Sequence, residues 1–241
     1  MRVAVISDVH SAAAPFRTAL EDARSHGFDQ LLLLGDLFTY GVDPVECMEL
    51  SIGAIENDGA LLIGGNHDQL YVDLKQQNST YFEKLPDWIR ESVEWTWQEL
   101  GEDWPETLEW LPEWASGKAF FAHANPFGFG DWTYLANEEV QARAALALRE
   151  RGYSAGIFGH LHRSRYFRDD HGTEVHVVDS IGQPRSKGGK SPSWTMVEIT
   201  GSDVSVEHHQ IEFDAAAHCS AIQAISRLSD ATKSKLCGFY Q

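Results

Sequence analysis

The chain has 241 residues, 43% of them apolar and 23% charged, enough to bury a core as one domain and too apolar for intrinsic disorder. Nineteen Lys and Arg against 36 Asp and Glu leave a formal net charge of −17, which repels long polyanions and anionic lipid and disfavours sequence-independent nucleic-acid binding. A small phosphorylated molecule stays admissible, because a local metal site outweighs distant surface charge.

The three cysteines, Cys47, Cys219 and Cys237, form no CxxC pair and no disulfide framework, so a reducing compartment is expected. The opening MRVAVISDVH is too short an apolar run for a signal peptide or a spanning helix. The expectation is a cytoplasmic protein with no membrane partner.

Residues 2–6, 29–34 and 60–63 are short apolar runs that read as buried strands. Between them, 13–26 and 43–56 carry apolar side chains at helical spacing, the second opened by Pro44. Residues 79–116 interrupt the alternation and hold six of the eight tryptophans, Trp88, Trp95, Trp97, Trp104, Trp110 and Trp114. They read as a helical insert whose indoles either fill a small core of their own or cap the site, with one or two stacking on a substrate ring. The alternation resumes with a strand at 118–122, a helix at about 137–151 and a strand at 154–158. Strands at 164–168, 174–178, 194–199 and 203–211 follow, then a helix at 214–229. No linker divides residues 1–241, so one α/β domain is expected, with two sheets packed face to face and helices outside.

The strands of the α/β part end in metal-type ligands. The first delivers Asp8-x-His10, two side chains that share a face in an extended chain. The others end in Gly35-Asp36, Gly64-Gly65-Asn66-His67-Asp68, His123 and Gly159-His160-Leu161-His162. Carboxyl ends of strands converge in open α/β sheets, so these groups can share one pocket. Gly35, Gly65 and Gly159 each precede a candidate ligand, where a missing Cβ lets the backbone turn sharply. Imidazole and oxygen donors without thiolate suit Mn, Fe, Zn or Ni, and seven candidate ligands exceed what one ion needs, so two ions are expected. Taken singly, Asp36 reads equally well as a helix N-cap, Asn66 as a turn residue, and each histidine as a hydrogen-bonded one. Their ordered recurrence at strand ends argues for a site.

This set, Asp8-x-His10, Gly35-Asp36, Gly65-Asn66-His67-Asp68, His123 and Gly159-His160-x-His162, resembles the motif series of the calcineurin-like metallophosphoesterase superfamily. The phrases GDLFTYGVDPVE, WTWQEL and SIGQPR are similar to its bacterial YfcE-like branch. The resemblance implies a four-layer αββα sandwich. It further implies one ion on Asp8, His10 and His162, another on Asn66, His123 and His160, and Asp36 between them, with Mn the first expectation. Two such ions, roughly 3.5 to 4 Å apart, activate a bridging hydroxide for in-line attack on phosphorus. His67 is then the general acid or a transition-state donor, with Asp68 orienting its ring.

Three departures limit the carry-over. Ala124 follows His123 where glycine is common, and Val178-Asp179-Ser180 precedes Ile181 in place of Asn-Pro-Gly-Ser. Leu37-Phe38-Thr39-Tyr40-Gly41 lacks the Asp-Arg-Gly of the protein phosphatases and with it an arginine clamp for phosphate dianions.

The leading expectation is a phosphoesterase acting on a small phosphodiester or nucleotide-type substrate. The alternatives are phosphomonoesterase or protein phosphatase activity, and a non-catalytic metal-bound regulatory protein. Tyr40 reads as packing or as a pocket residue. Arg185 and Lys187 read as a solvated basic loop or as neighbours of an anionic substrate. His26, His171, His176, His208, His209 and His218 read as surface or internally satisfied positions.

Overall fold

The protein is described by a computed structural model covering residues 1–101, 104, 107–185 and 191–240. In chain order the elements are β1 (Arg2–Ile6), α1 (Ala13–His26), β2 (Gln30–Leu33), α2 (Pro44–Asp58), β3 (Leu61–Ile63), α3 (Asn66–Lys75), a 3-10 turn (Phe82–Lys84), α4 (Asp87–Leu100), β4 (Trp110–Leu111) and β5 (Trp114–Ser116). Then come β6 (Ala119–Ala122), α5 (Glu138–Glu150), β7 (Ala155–Phe158), β8 (Arg165–Arg168), β9 (Glu174–Val177), β10 (Ser193–Thr200), β11 (Asp203–Gln210), α6 (Ala215–Ala224) and α7 (Asp230–Cys237).

The strands form two mixed sheets, in the orders β11-β10-β1-β2-β3-β4 and β5-β6-β7-β9-β8. Strands β1 to β4 run parallel, with β10 and β11 added antiparallel. In the second sheet β6, β7 and β9 are parallel, flanked by antiparallel β5 and β8. Both faces of the central strands are covered, which is why they read as continuous apolar runs. In β1, Val3 and Val5 face the second sheet and pack with Phe121 and Ile157. Ala4 and Ile6 face the other way, onto Phe16 and Leu20 of α1 and Met48 of α2. On the far side, Phe120, Phe158 and Val175 pack against Ala144, Ala145 and Leu148 of α5. The layers are therefore helix, sheet, sheet, helix, as expected from sequence.

Two expectations need correcting. Residues 79–116 are helical only in part: Trp110–Leu111 and Trp114–Ser116 are strands, one at the edge of each sheet, and the chain passes between sheets there. The indoles build no separate core. Trp104 lies in the main core with Trp97 and Trp110 packed on it, while Trp95 joins Ile222, Leu228 and Leu236 of the C-terminal region. The helix expected over 214–229 breaks at Ile225, and Ser229 starts α7 by accepting from Thr232 N. Glu91 of α4 fixes this break by accepting from Ser229 N at 2.9 Å and Ser229 Oγ at 3.0 Å.

Candidate metal centre

The seven expected ligands lie at carboxyl ends of strands from both sheets, and six of them are brought together as two linked groups. Asp8, His10, Asp36 and His162 form one and Asp36, His123 and His160 the other, each with ligand atoms within 4.8 Å of one another. All are buried, as is Asn66. Asp36 belongs to both groups through Oδ2, which lies 3.8 Å from His10 Nε2 and 3.4 Å from His123 Nε2. His162 Nε2 is 3.2 Å from Asp8 Oδ1, and Asn66 Oδ1 is 3.3 Å from His123 Nε2.

The backbone is bent to achieve this. Among the described residues nine non-glycines have φ in the left-handed region, and five of them are Asp8 (53°), His10 (48°), Asp36 (53°), His160 (66°) and His162 (55°). Such conformations cost of order 1–3 kcal/mol each and persist where the surroundings over-determine them. Here Asp8 N donates to Gly35 O and His10 N to Asp36 O, both at 3.0 Å. The glycine at 65 is required by close approach, since a Cβ there would stand 2.2 Å from Asp36 Oδ1.

The four imidazoles are oriented by carbonyl groups. His10 Nδ1 donates to Phe38 O (3.0 Å), His123 Nδ1 to Leu34 O (2.8 Å), His162 Nδ1 to Gln183 O (3.2 Å) and His160 Nε2 to Trp132 O (3.0 Å). Tyr134 stacks on the His160 ring at 4.1 Å and 4°. Each ring thus has one nitrogen anchored and the other turned to the centre, the arrangement that presets a metal-binding histidine. His10 Nε2 and His162 Nε2 face each other at 3.0 Å with both Nδ1 atoms already donating. Two lone pairs in that position repel unless a cation or proton lies between them. The residues therefore fit divalent cations.

Electrostatics agree. Burial pushes His10 well below its ordinary value, reinforced by His162, and takes His160 down to about 3, reinforced by His123, so both rings are neutral donors. Burial also pushes the Asp36 carboxyl up, but His123 and His67 outweigh it and hold Asp36 well below the carboxylate range. His123 is the counterpart: burial lowers it, yet Asp36 lifts it to about 10. A proton on His123 occupies part of the role that a cation would fill.

A family model described as calcineurin-like phosphoesterase matches residues 1–164. The chain belongs to the calcineurin-like phosphoesterases. It is thereby a metal-dependent phosphoesterase, a hydrolase of phosphoric esters. The uncharacterized protein MJ0912 of Methanocaldococcus jannaschii is 29% identical over 232 residues, 88% of either chain. Two solved structures superpose closely on the fold. A metallophosphoesterase from Sphaerobacter thermophilus has a TM-score of 0.75 at 23% identity and covers 99% of this chain and 100% of its own. The hypothetical protein PH1004 from Pyrococcus horikoshii OT3 has a TM-score of 0.80 at 18% identity and covers 98% and 97%.

His67 and Asp68 sit beside the ligands in this phosphoesterase, but not as expected. The Asp68 carboxylate does not orient the His67 ring. It accepts from Asp36 N (2.7 Å), Leu37 N (3.0 Å) and Gly65 N (2.9 Å), bracing the loops that carry Asp36 and Asn66. Burial, with Asp36 nearby, raises Asp68 to about 7. The partner of His67 is Tyr40, whose hydroxyl lies 2.9 Å from Nε2, while His67 Nδ1 is buried without a partner. Tyr40 both packs, against Trp88 at 5.5 Å, and reaches the pocket. Its place four residues after Asp36 was the available signal, whereas the orienting carbonyls have none in sequence. Arg185 N donates to His162 O at 2.8 Å and its guanidinium lies 4.7 Å over the Phe239 ring, so it belongs to the centre's surroundings. Lys187 lies outside the described residues.

Proposed function

We propose that the protein is a dinuclear phosphoesterase acting on a small phosphodiester or nucleotide-type substrate. The observation that carries this reading is the position of Asp36 Oδ2 between His10 of one ligand group and His123 of the other. Asp8, His10 and His162 would hold one ion, and Asn66, His123 and His160 the second, with Asp36 shared; Mn, Fe, Zn and Ni all suit the donors. Ions bound there supply Lewis acidity toward the phosphoryl oxygens and lower the pKa of water.

The chain's own groups do the rest. His67 N donates to Asp36 Oδ1 at 2.9 Å, so the backbone of His67 is held to the shared carboxylate. Its unpartnered Nδ1 is the group that would serve the leaving oxygen, and the Tyr40 hydroxyl holds the opposite nitrogen. Thr39 and Tyr40 occupy the loop after Asp36, which brings no cation to the phosphate from that side. A singly charged diester needs less neutralisation than a monoester dianion and is favoured on that account. Exposed Tyr134, stacked on His160, offers a ring face to a nucleobase at the edge of the site.

The test is hydrolysis of a nitrophenyl phosphodiester and its monoester by protein stripped with chelator and refilled separately with Mn, Fe, Zn, Ni or Mg. Activity restored by a transition metal with the diester preferred is the expected result. Absence of turnover with every metal while two ions bind would replace the enzyme reading with a regulatory one.

A further inference from the structure

Outside the centre, the described residues bring together one other group of metal-type ligands: Asp22, His26 and His209, each offering an atom within 4.8 Å of the others. The two histidines read in sequence as surface or internally satisfied positions. Asp22 and His26 lie one turn apart at the end of α1, and His209 lies on the edge strand β11, paired with Trp194 of β10.

A single indole organises all three. Trp194 is buried and donates Nε1–H to Asp22 Oδ2 at 2.8 Å. His209 stacks flat on that indole at 4.3 Å and 11°. His26 meets it edge-on at 5.5 Å, with its ring 4.6 Å from that of His209. His209 Nε2 is buried and has no hydrogen-bond partner, and Glu207 Oε2 stands 3.9 Å from it. His26 is tied through Nδ1 to Asp22 O at 2.9 Å and to Ser25 Oγ at 3.3 Å, and its side chain is 39% exposed, so its ring can turn toward an ion.

A buried imidazole nitrogen without a partner is a costly arrangement that normally has an explanation in an ion or water. Held carboxylate and stacked imidazole are also the kind of fixed surroundings that orient metal ligands. With two nitrogen donors and one or two carboxylates, the donor set selects a borderline divalent cation over Mg or Ca. We propose that Asp22, His26 and His209 bind one ion of the Zn2+ or Ni2+ class, which staples the end of α1 to the edge strand of the first sheet. This site shares no residue with the phosphoesterase centre and does not depend on how that centre works.

The experiment is equilibrium dialysis against Zn2+ of chelator-stripped full-length protein in three forms: unaltered, His26→Ala/His209→Ala, and Asp36→Asn/His123→Ala. The first double variant is expected to retain one ion fewer than the unaltered chain while keeping phosphoesterase activity; the second keeps that ion and loses activity. In the second background, Zn2+ at a hundred times its Kd should raise Tm by roughly 5 °C or more, and adding His26→Ala should abolish the rise. Because His26 is exposed, that substitution leaves the fold intact. Equal stoichiometry and affinity in the unaltered chain and the His26→Ala/His209→Ala variant would overturn the proposal, whatever the inner variant does.

Discussion

At the residue scale, the roles of Asp36, His67 and Tyr40 separate experimentally. Asp36→Asn removes the charge shared by both ligand groups, so metal occupancy and rate should fall together, as read by metal analysis alongside turnover. If Asp36→Asn held its ions at unchanged affinity, the bridging role would be lost. His67→Ala should keep its metals and lose roughly 10²- to 10⁴-fold in kcat. Tyr40→Phe keeps the ring packed on Trp88 but deletes the hydroxyl bonded to His67, and a roughly 10- to 100-fold fall in kcat with KM little changed is expected. The proposed role of His67 on the leaving oxygen predicts that the loss is largest for esters with poor leaving groups. The candidate ligands other than His123 were legible because each stands at the end of an apolar run behind a glycine or beside a spaced partner, whereas His123 follows its run alone. The Tyr40 to His67 contact was only half legible, since spacing says that a side chain is near but not which nitrogen it holds. The carbonyls of Leu34, Phe38, Trp132 and Gln183 were illegible, because every residue carries the same one.

At the element scale, the junction between β3 and α3 and the helix α6 each carry a test. Gly65 adopts an extended conformation that alanine tolerates, so Gly65→Ala isolates the close approach of Asp36 from any backbone strain. Metal affinity should drop by roughly tenfold or more, measured by chelator competition. In α6, His218 lies 5.5 Å from the ring of Phe213 and 5.0 Å from that of Tyr240, and burial takes it down from 6.5 to about 4. The folded state therefore binds this proton more weakly than the unfolded chain. The stability tied to neutral His218 is complete above pH 6.5 and declines as pH falls toward 4, by about 2 kcal/mol between pH 7.5 and 5. Urea denaturation at those two pH values should show a difference smaller by that amount in His218→Phe; an unchanged difference would remove His218 as the cause. The strands of the first two thirds were readable because both faces are buried, whereas β4 and β5, two and three residues long, are too short for any period to register. The break between α6 and α7 was hidden because its cause, Glu91 of α4 reaching Ser229, is a tertiary contact.

At the scale of the whole molecule, the four layers followed from the alternation of runs, and the linkage between the sheets gives them a mechanical meaning. Asp8, His10, Asp36 and Asn66 extend from the first sheet, His123, His160 and His162 from the second. Metal binding should slow amide exchange at the carboxyl ends of β1 and β2 and of β6 and β7 together; protection confined to one sheet would contradict a shared centre. The same arrangement sets an order of events during synthesis. A nascent chain that has emerged through β5 owns every donor of the first sheet and none of the imidazoles of the second. With the proposed ligand assignment, complete loading waits until residue 162 has been made and the two sheets have docked, so hydrolytic activity would double as a certificate of finished folding.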